Sequence, residues 1–271
     1  MFEVSCKELA QKIKDGIRGN GRMHLHIIGN GSSAGNRYIK NKLKVAAECG
    51  IMAHLHVLNL GSYYDGCGDW QDISKLVNDI EKSPIKGPVI VQMPFGHDVD
   101  ENISLILNTA QDADGLTENA YVDPATAQGI YTLLAVNNLL KNKHVVIIGR
   151  SKLVGKPLAR LLSNTDATVT LCHSKTPDLP SFTRQADVIV VAVGKEKFLT
   201  KAYVNQDKEV HIVDVGINSD ANGKLCGDVH PELYEMSNIH STPVPGGVGL
   251  LTTACLMQNV KTLTDRYYHN D

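Results

Sequence analysis

Apolar runs of strand length alternate with amphipathic stretches of helix length along nearly the whole chain, and few architectures accept that rhythm. The first half carries MHLHII (23–28), MAHLHVL (52–58) and PVIVQM (88–93), separated by the helix-like YIKNKLKVAAECG and DISKLVNDIEKS. The second half carries HVVII (144–148), ATVTLC (167–172), DVIVVAV (187–193) and EVHIVDV (209–215), with a helix expected from Lys156 onward. Repeated βα units of this kind predict an α/β fold with mostly parallel sheet. Open parallel sheets gather their ligand groups where the strands end, and each first-half strand runs out into polar or glycine-bearing sequence.

A chain of 271 residues can bury a sizeable core, and a change of series near residues 120–140 predicts two lobes with a cleft between them. Residues 1–122, completed by a C-terminal helix within 250–271, form the first domain, and 123–249 the second, Rossmann-like one. Thr126–Leu140 is expected to be a helix bridging the lobes, and Leu250–Tyr268 another that returns across them. A net charge of -2 with 21% charged residues argues against a nucleic-acid partner. The N-terminal MFEVSCKELAQKIKDGI mixes charge into a helical pattern unlike a secretory signal, and no stretch reaches the roughly 18 apolar residues that span a bilayer. Six scattered cysteines without a CxxC pair read as reduced thiols, so no membrane association, no disulfides and a cytoplasmic location are expected.

The segment GRSKLVGKPLARLL follows HVVII directly. Gly149 at the strand end and Gly155 at the helix start suit close backbone approach to a phosphate, and Pro157 suits a first helical turn. The segment departs from G-x-G-x-x-G, with Arg150 and Ser151 where a second glycine and its neighbour usually stand, so an ordinary tight βα turn fits equally well. The next strand ends in Cys172-His173-Ser174-Lys175, without the acid that accepts ribose hydroxyls in NAD sites. A cation at Arg150 or Lys175, with a hydroxyl from Ser151 or Ser174, can instead hold a ribose 2′-phosphate, which favours NADP over NAD. The alternative is that these are solvated loop residues.

Taken in order, GRSKLVGKPLARLL, ATVTLCHSKT, ADVIVVAVGK, VDVGIN, GDV and TPVPGGVG resemble the bifunctional methylenetetrahydrofolate dehydrogenase/methenyltetrahydrofolate cyclohydrolase family. YIKNKLKVAAECGI, VQMP and DADGLT in the first half resemble its folate-site motifs, so the likeness covers nearly the whole chain. The resemblance implies a folate-site α/β domain beside a Rossmann-like NADP domain. It also implies oxidation of methylenetetrahydrofolate by NADP, hydrolysis of the methenyl product to 10-formyltetrahydrofolate, a place in one-carbon metabolism and purine biosynthesis, and a homodimer. Rival readings are a dehydrogenase without cyclohydrolase activity, a non-catalytic folate- or nucleotide-binding subunit, and a two-lobed dehydrogenase acting on an amino or hydroxy acid. Retention of Lys42 argues against the non-catalytic subunit.

Tyr38 and Lys42 are spaced i,i+4 and so share one helix face. The resemblance makes Lys42 the catalytic lysine and Tyr38 the residue that stacks on the folate's aromatic ring. Read without it, Lys40, Lys42 and Lys44 form a solvated face. Gln92, at the end of the third strand, resembles the glutamine that orients the lysine, and otherwise reads as a loop-fixing residue. Asp114 matches the acid that binds the pterin, while Asp112 is assigned to the turn. The nucleotide set implied by the motifs is Gly149, Arg150, Ser151, Gly155, His173, Ser174, Lys175, Val193, Gly194, Gly216 and Ile217. Pro245, Gly246 and Gly247, in the TPVPGGVG loop, are implied to line the cleft near nicotinamide and folate, or else serve as a connector. Gly35, Gly96, Ala125 and Leu250 depart from the family's usual serine, proline, cysteine and proline.

His24-x-His26 and His54-x-His56 each put two imidazoles on one strand face. Without a third-ligand motif such as HExxH, hydrogen-bonded or exposed rings are preferred to a metal site, and no metal is expected.

Overall fold

A computed structural model describes the chain except at residues 1, 18–22, 31–32, 59–67, 94, 96, 221 and 270–271. In chain order the first elements are α1 (Cys6–Asp15), β1 (His24–Gly29), α2 (Ser33–Glu48), β2 (Met52–Val57), α3 (Gly68–Glu81), β3 (Val89–Gln92) and α4 (His97–Ile106). They are followed by α5 (Ala125–Val136), β4 (His144–Ile148), α6 (Gly155–Leu162), β5 (Thr168–Cys172), α7 (Leu179–Thr183), β6 (Val188–Val191) and β7 (Val210–Asp214). Two short strands, β8 (Asn218–Ser219) and β9 (Leu225–Cys226), precede β10 (Ile239–Ser241) and the long helix α8 (Val248–His269). The chain folds as two compact units, residues 12–125 with 253–271, and residues 1–11 with 126–252.

In the unit built from 12–125 and 253–271, β1, β2 and β3 form a parallel sheet in the order β2-β1-β3. Alternation sends successive side chains to opposite faces. Leu25, Ile27 and Ile90 therefore pack with Ile39 and Ala46 of α2 and with Leu256, Val260 and Leu263 of α8. Ile28, Val89 and Val91 pack on the other face with Ile73, Val77 and Ile80 of α3 and Ile103 and Ile106 of α4. Helix α2 stops because Gly50 takes φ 71°, which lets the Ile51 N–H reach the Ala46 carbonyl at 2.9 Å. Beside β3, the Val89 N–H donates to Gln111 O (2.7 Å) and the Ala113 N–H to Val89 O (3.2 Å), so the DADGLT segment is laced to the sheet edge.

In the other unit, five parallel strands take the order β10-β7-β6-β4-β5. Val146, Ile148, Ile189, Val191 and Ile212 share a core on one face. Val145, Ile147, Val188, Val190 and Val213 are equally buried, which is why these strands read as unbroken apolar runs. From β4 the chain first adds β5 on one side and then β6 on the other, so the strand order reverses at the end of β4, where open α/β sheets bind ligands.

The helix expected over 126–140 is shorter. α5 ends at Val136, since Asn138 adopts φ 57° and the N–H groups of Asn138 and Leu139 turn back to Ala135 and Leu134. Helix α4 and strand β10 were not anticipated, and α2 begins at Ser33 rather than Tyr38. No helix among the described residues is long and apolar enough to cross a membrane. Five cysteines, at 6, 49, 172, 226 and 255, are free, and Cys67 lies outside the described residues.

Candidate active site

Parallel strands β1 and β3 end side by side, with Gly29 in register with Gln92, and this edge collects the polar groups of the first unit. Ile39 and Ala46 anchor the buried side of α2, Lys42 lies half-buried at the margin of that side, and Tyr38, one turn earlier, is exposed. Gln92 donates through Nε2 to the Met93 carbonyl at 2.9 Å, while its buried Oε1 has no hydrogen-bond partner among the described residues. A buried amide oxygen without a donor is costly, so this atom is an acceptor waiting for an ammonium, water or ligand N–H.

Asp114 sits in a loop that sequence and packing both shape. Gly115 has φ 68°, and a Cβ there would stand 2.7 Å from Val122 O and Pro124 N, so only glycine fits. Asp112 is fully buried and its Oδ2 accepts the Thr117 N–H at 2.6 Å, closing the turn. Asn259 of α8 donates to both Ala113 O and Asp123 O, each at 3.0 Å, and so clamps the loop from its two ends. Asp114 as a residue is only partly buried. Desolvation nevertheless pushes its carboxyl above the ordinary range, and the Lys42 charge pulls the other way. The helix and the loop thus bring an amine and a carboxyl of one pair within electrostatic reach.

At the switch point of the other unit, Gly149 takes φ 121° and a Cβ there would lie 2.3 Å from Ala192 O. A Cβ on Gly155 would lie 1.9 Å from Gly149 O, so both glycines are required by backbone touching backbone where β4 turns into α6. Ser151 Oγ accepts the Val154 N–H at 3.1 Å and Ser151 O the Lys156 N–H at 3.2 Å, which holds Arg150, Ser151 and Lys152 outward and exposed. Neighbouring β5 ends in register, and the Gly149 N–H donates to Cys172 O at 2.9 Å. A tight turn follows, in which the His173 N–H donates to Thr176 Oγ1 (2.9 Å) and the Lys175 N–H to His173 Nδ1 (3.1 Å). That turn presents Ser174 and Lys175 to solvent, so the two expected cations and two hydroxyls emerge from adjacent strand ends.

Val193, Gly194, Gly216 and Ile217 follow β6 and β7 and are organised by two buried acids. Asp228 Oδ2 accepts the N–H groups of Val193 (2.7 Å) and Gly194 (3.0 Å), and Oδ1 accepts Lys195 N–H (2.8 Å) and Asn218 Nδ2 (2.9 Å). Asp214 accepts the N–H groups of Gly216, Asp228 and Val229 at 2.9–3.0 Å, while burial pushes its own carboxyl upward. The carboxylates fill the space where side chains at Gly216 and Gly227 would fall. The Val193 and Gly194 amides are therefore already spoken for, and those residues offer a ligand their carbonyls and bare Cα surface. Ile217 is half exposed, an apolar platform beside them. In the 242–249 loop, Pro245 and Gly246 are exposed, Gly246 has φ 97° with open space beside it, and Gly247 is buried against Pro243 O.

The paired histidines form a ladder. His24 Nδ1 meets His54 Nε2 at 2.9 Å, His26 Nδ1 meets His56 Nε2 at 3.0 Å, and the rings stack. His26 Nε2 lies 2.9 Å from the Ile85 carbonyl and must carry the proton, so its Nδ1 accepts from His56. Burial and the neighbouring rings lower His26 to about 4.

Residues 124–268 match the family model described as the NAD(P)-binding domain of tetrahydrofolate dehydrogenase/cyclohydrolase. The bifunctional protein FolD of Lactobacillus acidophilus is 37% identical over 96% of this chain and 93% of its own length. The chain belongs to the tetrahydrofolate dehydrogenase/cyclohydrolase family. Among solved members, the Campylobacter jejuni bifunctional enzyme is 31% identical with a TM-score of 0.85, covering 97% of this chain and 98% of that one. The Trypanosoma brucei enzyme, solved with NADP and an inhibitor, is 25% identical with a TM-score of 0.83 over 98% of this chain and 97% of that one.

Of the family departures, Ala125 is buried in the core of its unit, Leu250 is partly exposed on α8, and Gly35 lies within α2. Gly96 lies outside the described residues. Two residues that hold the candidate-site loops, Asp228 and Asn259, were not among the residues expected from the sequence. The GDV motif pointed to the first, since an acid directly after a glycine and downstream of VDVGIN can fold back onto the strand ends. Asn259 looks like any polar helix residue, and its partners lie 146 and 136 positions away.

Proposed function

We propose that this chain oxidises methylenetetrahydrofolate with NADP and hydrolyses the methenyl product to 10-formyltetrahydrofolate. The observation that carries the reading is that Lys42 and Asp114 lie within electrostatic reach of each other, in the unit whose strand β3 ends in Gln92, its buried Oε1 unpartnered among the described residues. Asp114 accepts the adjacent N–H donors of the pterin edge, and Tyr38, exposed one helical turn before Lys42, stacks on the folate's aromatic ring. Gln92 Oε1 accepts from Lys42 and aims it. Lys42 then takes a proton from the water that attacks the methenyl carbon.

NADP, when bound, supplies the hydride acceptor. The tight glycine packing at Gly149 and Gly155 and the outward Arg150, Ser151, Ser174 and Lys175 fit a nucleotide with a 2′-phosphate. His173, Val193, Gly194, Gly216 and Ile217 are assigned to the remainder of that site, and the family likeness assigns Pro245, Gly246 and Gly247 to substrate binding. From the family likeness we extend the proposal to a cytoplasmic homodimer whose formyl product feeds purine biosynthesis.

A spectrophotometric assay with methylenetetrahydrofolate and each nicotinamide coenzyme tests the reading. It predicts reduction of NADP in preference to NAD, formation of methenyltetrahydrofolate and its enzyme-dependent decay. Failure to reduce either coenzyme overturns the assignment, and a preference for NAD overturns the role of Arg150 and Lys175.

A further inference from the structure

At the end of the five-stranded sheet opposite the nucleotide loops, three donor side chains converge that no part of the proposed chemistry uses. Glu209 immediately precedes β7, His211 is its second residue, and His240 is the middle residue of β10. β7 and β10 pair in parallel with His211 opposite His240, so those rings share a face, and Glu209, two residues before His211, falls on that same face. One donor atom from each of the three lies within 4.8 Å of the other two. Glu209 Oε1 stands 2.7 Å from His240 Nε2, and the two imidazole centroids are 5.1 Å apart. Phe2 packs its ring edge-on against His211.

We propose that Glu209, His211 and His240 form a binding site for a divalent transition-metal ion of the zinc class. Two imidazoles and one carboxylate suit such an ion, which takes nitrogen and oxygen at about 2.0–2.2 Å and so sets neighbouring donors roughly 3.3 Å apart in a tetrahedron. The Glu209–His240 pair needs to open by only about 0.6 Å, and the Glu209 side chain, 62% exposed, is free to move. Water takes the fourth position. The ion then clips β10, an edge strand of three residues, to β7. β10 leads directly into Thr242, whose Oγ1 accepts the Asp214 N–H at 2.9 Å, so the clip steadies the strand that supports the Pro245 loop.

Zinc binding to the metal-free full chain is measured by calorimetry and by metal analysis after gel filtration, for the wild type, His240→Ala, Glu209→Gln and, as a control, His54→Ala. The proposal predicts one zinc per wild-type chain, affinity lowered at least about tenfold in His240→Ala and Glu209→Gln, and unchanged affinity in His54→Ala. It also predicts slower hydrogen exchange at the Ile239 and Val210 amides when zinc is added to the wild type. Both cluster variants alter side chains on the sheet's outer rim, so circular dichroism and NADP binding serve to show that they are folded. Absence of stoichiometric binding overturns the proposal, as does binding that persists at full strength in the two cluster variants or that is lost in His54→Ala.

Discussion

Replacing Asp228 tests whether the nucleotide loops are organised from below by a buried acid. Its carboxylate accepts four hydrogen bonds, three from consecutive backbone amides after β6 and one from Asn218. Hydrogen bonds to a charged acceptor contribute about 1.5–3 kcal/mol each. Gly194 and Lys195 lie at the surface, where water recovers part of that loss. Asp228→Ala is therefore expected to cost about 3–5 kcal/mol, a large share of the roughly 5–15 kcal/mol by which domains are stable. Asp228→Asn keeps one oxygen but turns an amide NH2 toward two donors, so about 2–4 kcal/mol is expected at nearly unchanged volume. Urea unfolding gives the stability, and steady-state kinetics give the consequence. The KM for NADP is expected to rise at least about tenfold because the 193–195 turn is no longer fixed, a change of about 1.4 kcal/mol, while methenyl hydrolysis, proposed for residues of the other unit, is expected to keep its kcat. An Asn variant within 0.5 kcal/mol of the parent with an unchanged KM for NADP would refute the reasoning.

Gly155→Ala drives a Cβ to within 1.9 Å of the Gly149 carbonyl, which neither backbone can relieve without parting β4 from α6. We expect a loss of about 3 kcal/mol or more in chemical denaturation and no measurable NADP binding. His26 has its imidazole lowered from 6.5 to about 4. A depressed folded value means that this stabilisation is complete above the unfolded value and is lost as the pH falls toward 4. Between pH 7.5 and 4.5 the wild type should lose about 2.5 kcal/mol more than His26→Gln in urea titrations, and equal slopes for the two proteins would remove the ladder from the account.

The parallel sheets were legible because strands buried on both faces, such as HVVII and DVIVVAV, leave unbroken apolar runs. Gly149 and Gly155 were also legible, although their requirement turned out to come from backbone crowding within the protein. What escaped was non-local or brief. β10 has three residues, too few to show a period. The grouping of residues 1–11 with the later unit rests on bonds such as Val4 N–H to Asn137 Oδ1, across 133 positions, and no local pattern announces it. The end of α5 depended on Asn138 adopting a left-handed conformation, a choice that asparagine permits without demanding. In the proposed folate site, the i,i+4 spacing placed Tyr38 and Lys42 on one face, while the electrostatic influence of Lys42 on Asp114 depends on tertiary packing that only the folded chain supplies.

The pairing of the Lys42 amine with a folate held by Asp114 is tested most directly by Lys42→Ala, assayed for hydrolysis of methenyltetrahydrofolate at saturating substrate alongside NADP binding. Loss of a general base predicts a kcat lower by about 10²–10⁴-fold, with the dissociation constant for NADP unchanged. Hydrolysis at the wild-type rate in a variant that still binds NADP would contradict the account.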